Sequence, residues 1–408
     1  MASSIPTEFV RQIPKTDIHV HLDGSLRLAT LIELAKKKKV KLPSYTEDGL
    51  KRLVFKSHYK DLPDYLAGFA FTVAALQDAE SIEWIAYELA QDNLAEGVRY
   101  IEVRFAPQLH MRDGFSMEHI VRACCRGLER AQREHNNSAA VKSGADIPFH
   151  FGVILCALRF FHAGMSPYYA KLFDVMPYAP PQRVFAAASM ELARATVHLV
   201  RNAGLPVVAF DLAGAESGFP AGDHKAAYQH IHRNFIRKTV HAGEAYGPES
   251  IFQAMTDCYA NRIGHGTWLF AADMVKDPAV ADREAYVHHL AEYIAQQRIG
   301  IEVCLTSNAQ TQPKLRNLAK HPLRQMIDHS MSVSICTDNR LVSNTTVTDE
   351  FLIAINKVKV TRRELRNLVI AGFKGSFFHG TYTEKRQYVR QVLDRYEKLE
   401  SDFGFSPP

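Results

Sequence analysis

A chain of 408 residues, 47% hydrophobic and 23% charged, can bury a large core as one big α/β domain or as two or three smaller ones. Its net charge of +5 is spread thinly over that length and makes no case for nucleic acid. Six cysteines show no C-x-x-C spacing, so reduced, buried thiols are expected rather than a disulfide framework.

The N-terminal MASSIPTEFVRQIPK has no apolar stretch of the secretory kind, and no apolar run elsewhere is long enough to span a bilayer. A cytoplasmic location with no membrane partner is the expectation. The first β-rich run is DIHVHLDG (17–24). Residues i and i+2 of a strand share a face, so His19 and His21 stand side by side, on the face that Asp17 and Asp23 also take. LATLIELA follows, ending in KKKKVK (Lys36 to Lys41), which reads as the exposed end of a helix, where cations suit the dipole. About 75 residues then separate the first run from the second, too many for one crossover helix. They include DLPDYLAGFAFTVAALQ (61–77), with Leu62, Tyr65, Leu66 and Phe69 on an apolar face. A helical excursion over about 43–80 fits either as a cover above the site or as an extra helix pair packed on the core.

Seven more runs follow: YIEVRFAP (100–107), FHFGVILCALR (149–159), PVVAFDLAG (206–214), KTVHAGE (238–244), RIGHGT (262–267), GIEVCLTSN (300–308) and SVSICTDN (332–339). Between them lie stretches such as SIEWIAYELAQDNLAEG and AVADREAYVHHLAEYIAQQ, apolar at helical spacing. Strands alternating with helices imply parallel βα units, and eight of them predict a (β/α)₈ TIM barrel with additional helices over its C-terminal mouth. The doubly wound alternative lacks its Gly-rich turn after the first strand. One domain over 1–408 is expected, with a core of about 14–380. KRQYVRQVLDRYEKLES predicts a helical tail over about 384–401, packing on the barrel or pairing two copies, so the chain is read as a monomer or homodimer.

Most runs end in polar residues, and in a parallel barrel the strand C-termini build the active site. His19, His21, His241, His265 and Asp338 all fall at such ends. A lone strand histidine is usually a hydrogen-bonded packing residue. H-x-H on the first strand, with histidines ending two more and an aspartate ending the eighth, predicts one metal site. Zinc would accept three histidines and one aspartate from this set, with a position left for water. His224, His230, His232, His288 and His289 read as surface or packing residues, and His110 has no partner at matching spacing.

TDIHVHLDGSL, DLAGAE, TVHAGE, RIGHGT, LTSN and TDN together resemble the adenosine deaminase family of metal-dependent amidohydrolase barrels, in order and spacing, from about residue 14 to 380. That resemblance implies a zinc-dependent hydrolase, one Zn2+ per chain, converting adenosine and 2′-deoxyadenosine to inosine or deoxyinosine and ammonia. It implies His19, His21, His241 and Asp338 as zinc ligands. Glu244 matches the acid that protonates the ring nitrogen beside the reacting carbon. His265 matches the residue that orients the attacking water and helps to deprotonate it, and Asp338 takes part in the same chemistry. Gly214 matches a backbone contact to the purine and Asp23 a contact to the ribose; His21 also borders the substrate. Tyr65, Leu66 and Phe69 fall at the family's apolar gate. Many members read TDD where this chain reads TDN. Asn339 replaces an acid that contacts the imidazole side of the purine; an amide donates there at any pH, whereas a carboxyl must hold a proton to do so. The implied partner is a small-molecule purine nucleoside. Related 6-aminopurines (adenine, a modified adenosine, an aminofutalosine-type nucleoside) are the alternative, and a non-catalytic purine-binding protein on the same barrel is a remote one.

Overall fold

The computed structural model describes residues 5–405. Eight parallel strands follow one another around a barrel in chain order: β1 (Lys15–His21), β2 (Val98–Phe105), β3 (His150–Leu158), β4 (Val207–Ala213), β5 (Arg237–Ala242), β6 (Arg262–His265), β7 (Gly300–Val303) and β8 (Val333–Ile335). The seam between β1 and β8 is closed by His21 N–H on the Asp338 carbonyl (2.7 Å) and Asp338 N–H on the His19 carbonyl (2.8 Å). Nearly every strand residue is buried, as helices on the outside and packed side chains within require. This is the predicted (β/α)₈ barrel.

Each predicted run contains a strand, but β6, β7 and β8 stop early: β7 ends at Val303, and Leu305 to Asn308 of its run instead begin the helix Leu305–Thr311. His265 (φ 67°) ends β6 in a left-handed conformation, and Asp338 (φ 63°), just beyond β8, adopts the same one. A non-glycine residue held there costs about 1–3 kcal/mol, and both belong to the cluster described below.

The barrel lumen is charged below its mouth. Arg104 donates to Asp211 (2.9 Å) and to Glu302 (2.9 Å), and Arg262 bonds both Glu302 and Glu102. All five side chains are essentially inaccessible to solvent. Such groups are tolerated because each charge is paired and hydrogen-bonded; removing one partner would strand the others.

Between β1 and β2 the chain forms helices Leu28–Lys38, Glu47–Leu53, Leu62–Leu66, Phe69–Ala75 and Ala79–Ala95. The lysine run does end a helix: Lys36, Lys37 and Lys38 occupy its last turn. Leu62–Leu66 starts where Asp61 accepts from the Asp64 N–H and Pro63 occupies the first turn. The C-terminal helix Tyr382–Asp402 opens with a Thr381/Glu384 capping box and buries Tyr388, Val392, Tyr396 and Leu399. The Tyr388 hydroxyl donates to the carbonyls of Arg99 and Pro148 at the entrances of β2 and β3, away from the mouth. Among the described residues no helix is long and apolar enough to cross a membrane.

Candidate metal centre and substrate cavity

His19, His21, His241 and Asp338 come together at the barrel mouth, each offering a ligand atom within 4.8 Å of the others. Asp338 Oδ1 lies 3.4 Å from Nε2 of both His19 and His21, and the Nε2 atoms of His21 and His241 are 3.1 Å apart. The far side of two rings is fixed by carboxylates. Glu302 accepts from His19 Nδ1 (2.7 Å), and Asp211 accepts from His241 Nδ1 (3.2 Å). Protons on Nδ1 leave Nε2 lone pairs converging on one point, the usual outer support of metal-binding imidazoles. Gly264 makes room for this, since a Cβ there would lie 3.0 Å from His19 Cε1.

The electrostatics point the same way. Burial and the Arg104 charge push His19 down, but the Asp338 and Glu302 carboxylates beside it outweigh them and draw it above the ordinary imidazole range. Burial holds His21 and His241 below that range, so both are neutral. Glu302 would be raised by burial, yet Arg104, Arg262 and His19 keep it well below the usual carboxyl range. The centre therefore favours a positive charge beside neutral nitrogen donors. His19 Nε2 is buried with no hydrogen-bond partner, and three imidazoles with a carboxylate are a donor set suited to zinc. The residues present fit a divalent metal.

A second group, Glu244, His265 and Asp338, shares the aspartate with the first. His265 Nε2 lies 3.7 Å from Glu244 Oε2. Burial, then the charges of Asp338 and Glu216, push the Glu244 carboxyl well above its ordinary range. Its backbone is held by Glu216, whose carboxylate accepts the N–H groups of Gly243 (2.7 Å), Glu244 (3.0 Å), Ala245 (2.6 Å) and Tyr246 (3.0 Å). Trp268 and Gln312 donate to the Glu244 carbonyl.

The tautomer of His265 follows from a chain of bonds that begins at a backbone amide. Leu323 N–H can only donate, so His321 Nδ1 accepts (3.1 Å) and its proton is on Nε2. That Nε2–H donates to Asn308 Oδ1 (3.2 Å), which turns Asn308 Nδ2 toward His265 Nδ1 (3.1 Å). Burial keeps both rings neutral, His321 at about 3. His265 thus carries its proton on Nε2, facing the cluster.

One cavity is lined by His21, Asp23, Tyr65, Leu66, Phe69, Gly214, His241, Glu244, His265, Asp338 and Asn339, with Leu62, Ala106, Cys156 and Ala213. His19 alone among the predicted site residues lies beneath its surface, fully buried. Asp23 sits past the end of β1; burial raises its carboxyl to about 7, and Oδ1 has no hydrogen-bond partner. Asp17 does not join the site: its carboxylate accepts the Thr337 N–H and hydroxyl. Asp338 Oδ2 accepts from Ser307 (2.6 Å). His110 and His224 are packing residues, bonded to the Leu76 carbonyl and to Ser189. Arg340 turns away to Glu96 and Asn93.

The sequence model of the adenosine deaminase family matches residues 14–174 and 182–395. A probable adenosine deaminase of Dictyostelium discoideum is 32% identical over 91% of this chain, which spans 42% of that longer protein. The adenosine deaminase of Mycobacterium marinum is 31% identical over 96% of this chain and 97% of its own. Among solved structures, an adenine deaminase from Arthrobacter aurescens shares the fold with a TM-score of 0.71, at 20% identity, covering 94% of this chain and 99% of that one. A zinc-bound amidohydrolase from Burkholderia ambifaria does so with a TM-score of 0.75, at 16% identity, covering 97% and 94%. With the family's pattern running through both halves of the barrel and relatives a third identical along nearly its whole length, this chain belongs to the adenosine deaminase family.

Proposed function

We propose that the chain hydrolyses adenosine, and 2′-deoxyadenosine, to inosine or deoxyinosine and ammonia, using one zinc ion per chain held by His19, His21, His241 and Asp338. The observation that carries this reading is the placement of a buried carboxyl, Glu244, kept protonated by its surroundings, in the same cavity as the donor cluster. When bound, zinc supplies Lewis acidity that makes water a nucleophile near neutral pH.

The chain's own residues supply the rest. His265, with its proton on Nε2, donates a hydrogen bond that holds the attacking oxygen. Attack on the amino-bearing carbon breaks the ring's aromaticity and drives an electron pair onto the adjacent ring nitrogen. Glu244 delivers its proton to that nitrogen, a task open only to a carboxyl that arrives protonated. Collapse then forms the carbonyl as the added hydroxyl gives up its proton to the amino group, which leaves as ammonia, and the proton the water lost on activation restores Glu244. Leu62, Leu66 and Phe69 keep bulk water from the reacting carbon, and the backbone at Gly214 (φ 95°), with no side chain, leaves room for the purine face.

The nucleoside form is favoured by Asp23, whose unpartnered buried oxygen suits a sugar hydroxyl and would be stranded by free adenine. Among the described residues no lysine or arginine lines the cavity, so a phosphate would meet no cationic side chain there. Six free, buried cysteines accord with a reducing, cytoplasmic compartment. The test is loss of ultraviolet absorbance when the zinc-loaded protein meets adenosine, adenine, AMP and an aminofutalosine analogue in parallel. Turnover of adenosine, cut by about a hundredfold or more by Glu244→Gln and abolished by chelation, is the expected result. Turnover of only one of the others would move the substrate, and silence toward all four would sink the reading.

A further inference from the structure

The amide of Asn339, at the cavity wall beside Asp338, is gripped from two sides. Its Nδ2 donates to the Tyr65 hydroxyl at 2.9 Å, and that hydroxyl lies 2.8 Å from Ser343 Oγ. Its Oδ1 is buried with no hydrogen-bond partner and rests against Gly24, where a Cβ would come within 1.8 Å of that oxygen. The two edges are not interchangeable. A carbonyl oxygen can lie against Cα–H as a weak acceptor, whereas an NH₂ group turned that way would press hydrogen against hydrogen and leave its protons unpaired. Gly24 therefore selects the orientation in which Nδ2 meets the Tyr65 hydroxyl, which accepts there and is free to donate to Ser343 Oγ.

We propose that Tyr65 is a positioning residue whose hydroxyl holds Asn339 with its N–H edge available to the five-membered-ring nitrogen N7 of the bound purine. The inference rests on the nucleoside reading above. The reacting carbon of a 6-aminopurine is flanked by N1 on one side and, across the ring fusion, by N7 on the other. Glu244, after β5, takes the N1 side; Asn339, after β8, lies three strands further round the barrel and meets the opposite side. N7 has an in-plane lone pair and no proton, so it needs a donor. Nδ2 has two protons, of which Tyr65 receives one and the ring the other. An amide turned over would set its oxygen against that lone pair instead.

Tyr65 belongs to helix Leu62–Leu66, so the donor is correctly turned only while that helix is seated. The Tyr59 hydroxyl, just upstream, donates to the Val342 carbonyl at 3.1 Å. The segment covering the cavity is thus tied to the turn after β8 at two points, and seating the cover and orienting the purine contact become one event.

The experiment compares inosine with 7-deazainosine, which has C–H in place of N7, by calorimetric titration of the zinc-loaded protein. Tyr65→Phe is expected to weaken inosine binding by about three- to tenfold, the range of one neutral hydrogen bond, and to leave 7-deazainosine unaffected. In an Asn339→Ala background the same change should leave the ratio of the two affinities unmoved. Ser343→Ala, which removes the hydroxyl's other partner outside the cavity lining, should shift the ratio in the same direction and keeps the test open if Tyr65→Phe folds poorly. Equal weakening of both ligands would overturn the proposal, because it would reduce Tyr65 to packing. An unaltered ratio would overturn it as well. Failure of the unmodified protein to bind inosine would instead overturn the nucleoside reading, and the inference with it.

Discussion

At the scale of single residues, the proposed chemistry depends on Glu244 holding a proton where an ordinary glutamate has lost it. Burial raises its pKa first, and the charges of Asp338 and Glu216 add to that. A carboxyl shifted upward is protonated on the acid side of its pKa and is lost as a donor when the pH rises through it. Turnover should therefore decline on the alkaline side with the titration of this group. Glu244→Gln removes the transferable proton and is expected to lower kcat by about 10²–10⁴-fold, the usual share of general acid catalysis, with zinc content unchanged. Its residual rate should also lack the alkaline decline. A variant that keeps both the rate and the decline of the parent would show that another group delivers the proton. Glu244 stands out in KTVHAGE as the expected acid, but the device that holds its turn does not. Glu216 gathers four backbone amides of the Glu244 turn, a job that depends on two loops meeting in space. Its only trace in the sequence is an acidic residue two positions after Gly214, at the end of a strand.

Elements were legible to the extent that their signals were local. All eight β-rich runs contain strands, because period and β-branched content act within a few residues. The strand ends were less legible: His265 and Asp338 leave the ladder in left-handed conformations imposed by the cluster they serve. The charged lumen was missed for a plainer reason. Glu102, Arg104, Asp211 and Glu302 sit inside runs that otherwise read as buried, and a charge there signals a partner on another strand without saying which. Caps, by contrast, are local and can be tested as such. Helix Arg362–Gly375 opens with a capping box in which Glu364 also accepts two bonds from Arg324, at 2.7 and 3.2 Å. Those bonds to Arg324 lower the Glu364 carboxyl to about 2. The depressed pKa means that the ion pair stabilises the fold fully above the unfolded value near 4.3 and loses that effect as pH falls toward 2. Glu364→Gln keeps the cap geometry and removes the charge. Both partners retain some exposure, so a loss of about 1–2 kcal/mol at pH 7 is expected. Urea unfolding at pH 7, 4 and 3 should show the deficit narrowing only in the last two; a deficit constant across the series would assign it to the cap alone.

For the molecule as a whole, the candidate metal centre and the barrel are one construction. Glu302, on β7, touches His19 of β1, Arg104 of β2, Thr239 of β5 and Arg262 of β6, so the group that aims the imidazole of a proposed ligand also ties strands from around the ring. Two consequences follow and can be separated. Zinc bound only by the folded state stabilises it by mass action, about 4 kcal/mol at a free concentration a thousand times the dissociation constant, so chelation should lower the melting temperature and restoring zinc should raise it again. Glu302→Gln keeps the shape but gives up the charge. It should weaken zinc by about 10–100-fold, as outer partners of metal ligands do, which shrinks the difference between loaded and chelated protein by about 1.4–2.8 kcal/mol at the same zinc concentration. It should also lower the stability of the chelated protein, because Arg104 and Arg262 lose a buried counter-charge. Melting curves of both proteins, with and without chelator, distinguish the two effects. If the variant is destabilised equally in both states, Glu302 braces the barrel without supporting the metal. If only the loaded state suffers, its work is confined to His19. A loss in both states, larger in the presence of zinc, is the result that a shared construction requires.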